Sequence, residues 1–133
     1  NMRKAIELDD RHARALNYVG YTLAESKKNL DEAERLIRRA LAVEPYSGYI
    51  LDSLGWVYYQ RGQFEQAFTY LKRATVSGEE DPVIFEHLGD TAMKLGRYQE
   101  AVKAYEKALN HRKAKKEPLL KKLKEAHRLS GTP

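Results

Sequence analysis

Four histidines, His12, His87, His111 and His127, are the side chains best suited to proton transfer or metal binding near neutral pH. No two of them stand four residues apart, so no helical face presents a histidine pair. Glu86, His87 and Asp90 form the densest mixed cluster. Neighbours one apart on a helix point in different directions, and with no cysteine in the chain no thiolate ligand can join them. No Gly-rich phosphate loop or nucleophile elbow is present. The expectation is therefore no catalytic site, no metal and no cofactor, which leaves the chemistry of recognition. Its candidates are Tyr49, Asp52, Trp56 and Tyr59, spaced i, i+3, i+7 and i+10. Tyr and Trp anchor interfaces, and at these intervals they share one face of a helix.

The positions equivalent to these four are Arg14, Asn17, Tyr21 and Ala24 earlier in the chain, and Val83, Glu86, Asp90 and Met93 later. Equivalence follows from an internal repeat. A shift of 34 or 35 residues brings Gly55 onto Gly20 and Gly89, Ala67 onto Ala33 and Ala101, and Ala74 onto Ala5, Ala40 and Ala108. A second stripe runs through Leu16, Val19, Gly20 and Leu23, through Leu51, Leu54, Gly55 and Tyr58, and through Phe85, Leu88, Gly89 and Ala92. That i, i+3, i+4, i+7 pattern predicts three first helices packed on second helices carrying the small Ala positions. A Gly inside a helix costs roughly 1 kcal/mol against Ala, so its recurrence at one register predicts a close approach of the partner helix.

The punctuation divides the chain. Residues 1–9 read as the second helix of a truncated repeat, which suggests a piece of something longer. Residues 10–45, 46–80 and 81–113 read as three repeats, and residues 117–129 as a capping helix. Gly62 and Gly96 mark turns; the first turn, Glu25 to Asn29, is one residue longer and lacks Gly, with Asn29 expected to cap the following helix. Pro45 breaks the chain, Ser77-Gly78 closes a helix, and Asp81-Pro82 is an N-cap followed by a first helical residue. The last helix has an apolar stripe of Leu119, Leu120, Leu123 and Ala126, with Lys121, Lys122, Lys124 and Arg128 expected to face away from it. No segment carries a strand signal, so the fold class is all-α.

Leu54-Gly55, Tyr58, Gly62, Phe64, Ala67, Leu71 and Ala74, with their equivalents one period away, resemble the tetratricopeptide repeat (TPR) family. The resemblance covers nearly the whole chain. It implies a right-handed solenoid of antiparallel helix pairs with a C-terminal capping helix, whose first helices line a concave groove that takes peptides or partner helices. Asn17-Tyr18-Val19-Gly20-Tyr21-Thr22-Leu23-Ala24 and Leu51-Asp52-Ser53-Leu54-Gly55-Trp56 also resemble the C-terminal repeats of bacterial TPR proteins, among them lipoproteins that act as adaptors for periplasmic enzymes. A periplasmic or membrane-associated bacterial parent is implied, with a cytoplasmic one left open.

The expected function is thus a non-catalytic scaffold or adaptor that binds a protein segment through Asn17, Tyr21, Tyr49, Asp52, Trp56, Tyr59, Glu86 and Asp90. Asp52, Glu86 and Asp90 make that face acidic, which suits a cationic segment. The clamp that holds chaperone C-termini in some TPR domains would fall on Asn17, Tyr21, Ser53, Val83 and His87; with no Lys or Arg among them, that ligand is not expected. Self-association of the repeat array is an alternative. Another is anion or nucleic-acid binding by the basic C-terminus, where residues 112–128 hold eight Lys or Arg against two Glu. The rest of the chain holds 16 basic and 17 acidic residues. No aromatics interleave with Lys113, Lys115, Lys116, Lys121, Lys122 and Lys124, so a solvated face is the expected role of the lysines, and nucleic acid and membrane are not expected partners.

Overall fold

In the computed structural model, residues 12–131 are described, and every element among them is a helix. They are α1 (Ala13–Glu25), α2 (Leu30–Val43), α3 (Gly48–Gln60), α4 (Phe64–Thr75), α5 (Pro82–Lys94), α6 (Tyr98–Leu109) and α7 (Lys116–Ser130). The helix expected near Met2 to Leu8 lies outside the described residues. Each of α1, α3 and α5 packs on the helix that follows it, and α1, α3 and α5 also touch in sequence, so they form an inner row. α7 packs on α6.

The glycines on the inner helices are where the outer helices come closest. A Cβ on Gly20 would lie 2.5 Å from Ile37 Cγ1, one on Gly55 2.7 Å from Leu71 Cγ, and one on Gly89 2.5 Å from Tyr105 Cε1. No side chain fits at those separations, so the entropic cost of Gly is offset by contact with a large residue opposite. Two turns end their helices with Gly in the left-handed region: Gly62 at φ +79° and Gly96 at φ +74°. At the first, Gln63 N–H donates to the Tyr58 carbonyl and Gly62 N–H to the Tyr59 carbonyl, both at 2.9 Å, satisfying carbonyls the helix leaves open. In the longer first turn, Lys27 and Asn29 both adopt φ +58°.

The core forms two large clusters, one through α1 to α3 and one through α4 to α7, both touching Tyr58, and a small third one of Leu51, Ala74 and Ile84. Several expectations need correction. Val19, Leu23, Tyr58 and Phe85 are only half-buried, whereas Ala13, Ala24, Ile50, Val57 and Ile84 are fully enclosed. The inner helices are covered on two sides, so their core is wider than one stripe. Asn29 stands at the start of α2 but makes no side-chain cap. α4 ends at Thr75, before Ser77-Gly78. Asp81 does cap α5, accepting from Val83 N–H at 2.8 Å. On α7, Leu119 and Ala126 are buried but Leu120 is exposed.

Candidate partner-binding face

The inner row carries all eight candidate residues: Asn17 and Tyr21 on α1, Tyr49, Asp52, Trp56 and Tyr59 on α3, and Glu86 and Asp90 on α5. They fall into two groups with different surroundings.

The first group is centred on Trp56. Its indole stacks on Tyr59, with centroids 4.3 Å apart and planes at 10°, and on His87, at 3.8 Å and 16°. Two rings parallel to an indole and this near its centre occupy opposite faces, so the three form a stack. Tyr21 extends it, 6.5 Å from His87. The indole N–H donates to Glu25 at the end of α1, 2.9 Å away. Beneath the stack, His87 Nδ1–H donates to Asp52 Oδ1 at 2.9 Å. Both side chains are enclosed: Asp52 is 6% exposed and His87 7%. Burial alone would push the His87 pKa down, but the Asp52 charge and hydrogen bond, with Asp90 and Glu86 beyond, carry it above the usual value. His87, one of the chaperone-clamp positions, is a buried tie between α3 and α5.

Glu86 and Asp90 are also engaged. Lys122 of α7 donates to Glu86 Oε2 at 2.6 Å and to Asp90 Oδ2 at 3.1 Å, and the Tyr105 hydroxyl donates to Asp90 Oδ1 at 2.7 Å. The two carboxylates outweigh the cost of burying the ammonium and raise the Lys122 pKa. Lys122 was expected to face away from the packing side. It turns inward, and the capping helix supplies the cation that the acidic end attracts.

The second group is open. Asn17, Tyr21 and Tyr49 line a recess of about 570 Å3 between α1 and α3, rimmed by Arg14, Tyr18 and Glu79. Tyr18 is 63% exposed and Tyr49 49%. Asn17, Tyr21 and Tyr49 also line a smaller adjoining recess of about 300 Å3 that reaches Asp52 and Val83. Asn17 lines both recesses, and its side-chain oxygen is buried and meets no donor among the described residues. Tyr21 keeps its proton well above the usual range, chiefly through burial and then through the nearby charges of Glu25 and Asp52. Ser53, one of the chaperone-clamp positions, is turned into its own helix, donating to the Tyr49 carbonyl at 3.1 Å.

Sequence reasoning missed Glu25, the inward turn of Lys122 and the burial of His87. Asp52 and His87 are 35 residues apart, one more than the 34 that separate Gly55 from Gly89, so the period pairs Asp52 with Glu86 and only the packing of the inner helices brings His87 to it. Among the described residues, no group of three His, Asp or Glu is placed to hold a metal ion. No helix among them is long and apolar enough to cross a membrane.

With this geometry in view, the likeness to other proteins is informative. The family model described as anaphase-promoting complex, cyclosome, subunit 3 matches residues 26–108. TPR repeat-containing protein PA4667 of Pseudomonas aeruginosa is 37% identical over 90 residues, which cover 68% of this chain and 15% of that protein. TPR repeat-containing protein MJ1428 of Methanocaldococcus jannaschii is 38% identical over 92 residues, 68% of this chain and 16% of that one. The present chain thus spans a small part of either relative.

Among solved structures, the Sgt2 TPR domain from Aspergillus fumigatus matches with a TM-score of 0.81 at 23% identity, over 90% of this chain and 80% of that one. The first TPR of Spaghetti (RPAP3), bound to the HSP90 peptide SRMEEVD, matches at 0.82 and 18%, over 93% and 99%. YrrB, described as a TPR protein with an unusual peptide-binding site, matches at 0.84 and 19%, over 98% and 66%. At these identities the structural likeness shows the fold. The chain belongs to the tetratricopeptide-repeat family, and its fold is the all-α solenoid of a protein-interaction module.

Proposed function

We propose that the inner face binds an extended protein segment at its open end, where Asn17, Tyr21 and Tyr49 line the two adjoining recesses, and that the parent protein uses this as a scaffold or adaptor. The observation that carries the reading is the pair of adjoining recesses lined by Asn17, Tyr21 and Tyr49, with Tyr18 and Tyr49 exposed beside them. The two tyrosines supply rigid area for anchoring that segment. Trp56, Tyr59, Glu86 and Asp90 play a supporting part, because their partners lie within the chain. A basic residue in the segment would sit toward Asp81 and Glu79, which line the two recesses, rather than toward the occupied Glu86 and Asp90.

The test is a displayed peptide library panned against the full chain, followed by titration calorimetry of the selected peptides. Tyr18→Ala and Tyr49→Ala should each weaken binding by about tenfold, the loss of one anchor, at unchanged melting temperature. Selected peptides that bind both variants as tightly as the native chain would refute the reading.

A further inference from the structure

The two junctions between outer helices are built from equivalent positions, and they differ in one respect that points to a second binding site. At the first, between α2 and α4, the Tyr70 ring fills the groove. It stacks on Tyr58, centroids 5.5 Å apart, and lies under two guanidinium groups, Arg38 at 5.9 Å and Arg73 at 5.6 Å from its centre. Glu34 completes the seal, accepting from the Tyr58 hydroxyl at 2.9 Å and from Arg38 at 2.7 Å.

Thirty-four residues on, the same positions are Phe68 for Glu34, Lys72 for Arg38, Thr75 for Leu41, Ala92 for Tyr58, Ala104 for Tyr70 and Lys107 for Arg73. The ring is gone and the two cations remain. In its place, between α4 and α6, is an open recess of about 690 Å3 with Phe68, Phe85, Leu88 and Ala104 among its lining residues. Lys72 lies 6.0 Å from the Phe68 ring and Lys107 5.8 Å from the Phe85 ring. Lys72, Lys103 and Lys107 stand on its rim with Glu100 as the single acid, and none of the three lysines forms an ion pair among the described residues.

We propose that this outer recess docks one aromatic side chain, Tyr or Phe, carried on an acidic segment of a partner protein. The incoming ring takes the place that Tyr70 takes at the first junction, between the two cations that already flank it, and the flanking carboxylates meet the unpaired lysines. The site lies on the outer-helix side and does not depend on the inner-face reading.

The probe is a fluorescein-labelled pentapeptide with a central tyrosine and two glutamates on each side, followed by fluorescence anisotropy. Saturable binding is expected, weakened about tenfold or more when the tyrosine is replaced by alanine, or the glutamates by lysine. Ala104→Tyr should supply the missing ring from within and abolish binding. The exposed double variant Lys103→Glu, Lys107→Glu should abolish it too, and serves if Ala104→Tyr does not fold. Absence of saturable binding, equal affinity for the three peptides, or full affinity in the lysine double variant would overturn the proposal.

Discussion

Replacing Trp56 by Ala should cost the fold about 3–4 kcal/mol, although Trp56 lies on the face assigned to partner binding. The indole is half-buried, so removing it returns about 100 Å2 of apolar contact, or about 2.5 kcal/mol at 25 cal/mol per Å2. Its two stacked partners, Tyr59 and His87, each add about 0.5–1.5 kcal/mol beyond area. The bond to Glu25, at the exposed edge, adds about 0.5 kcal/mol, and relaxation of neighbouring side chains into the gap offsets part of the total. For a chain of this size that is a fall in melting temperature of about 10–15 °C. The assay is thermal and urea unfolding followed by far-UV circular dichroism, since the variant loses the only tryptophan and with it intrinsic indole fluorescence. A loss below about 1 kcal/mol would refute the reasoning, because it would make Trp56 an unconstrained surface anchor.

Three further outcomes are expected. Gly55→Leu should cost about 1–3 kcal/mol or more in urea unfolding, since even its Cβ would lie 2.7 Å from Leu71 Cγ. Lys122→Ala should cost about 1 kcal/mol or less, as a partly exposed ion pair does, and should create affinity in calorimetry for an arginine-containing peptide by freeing Glu86 and Asp90. Because the folded pKa of His87 lies above its ordinary 6.5, the stability it contributes is complete below that value and is lost as pH rises through the folded pKa. In Asp52→Asn burial is left to dominate. NMR titration of the His87 ring should then show its pKa shifted down, and the alkaline loss of stability should shrink.

The solenoid was legible because its cause is local and repeated. Small residues at one register, Gly20, Gly55 and Gly89, each signal a close approach, and each meets a large residue one helix later. The inner face was legible as a set of residues but not as a set of duties. Tyr49 and Trp56 stand on one stripe, yet Tyr49 is half-exposed beside an open recess and Trp56 is stacked between α3 and α5 neighbours. Periodicity assigns a face; it does not say which neighbouring helix reaches that face. Lys122 illustrates the gap. Its charge reads as solvated on α7 taken alone, and only the packing of α7 against the array brings it to Glu86 and Asp90. The contrast between Tyr70 and Ala104 was present in the repeat alignment, but its meaning required the cations on either side to be placed in space.

The central claim is that the inner face is divided, with an open end that binds and a far end built into the fold. Amide chemical-shift mapping of the labelled chain with a library-selected peptide tests it most directly. The account predicts shifts concentrated on Asn17, Tyr18, Tyr21 and Tyr49, with the Lys122 contacts undisturbed. Shifts centred on Trp56, Tyr59 and Asp90, with Lys122 displaced, would contradict it.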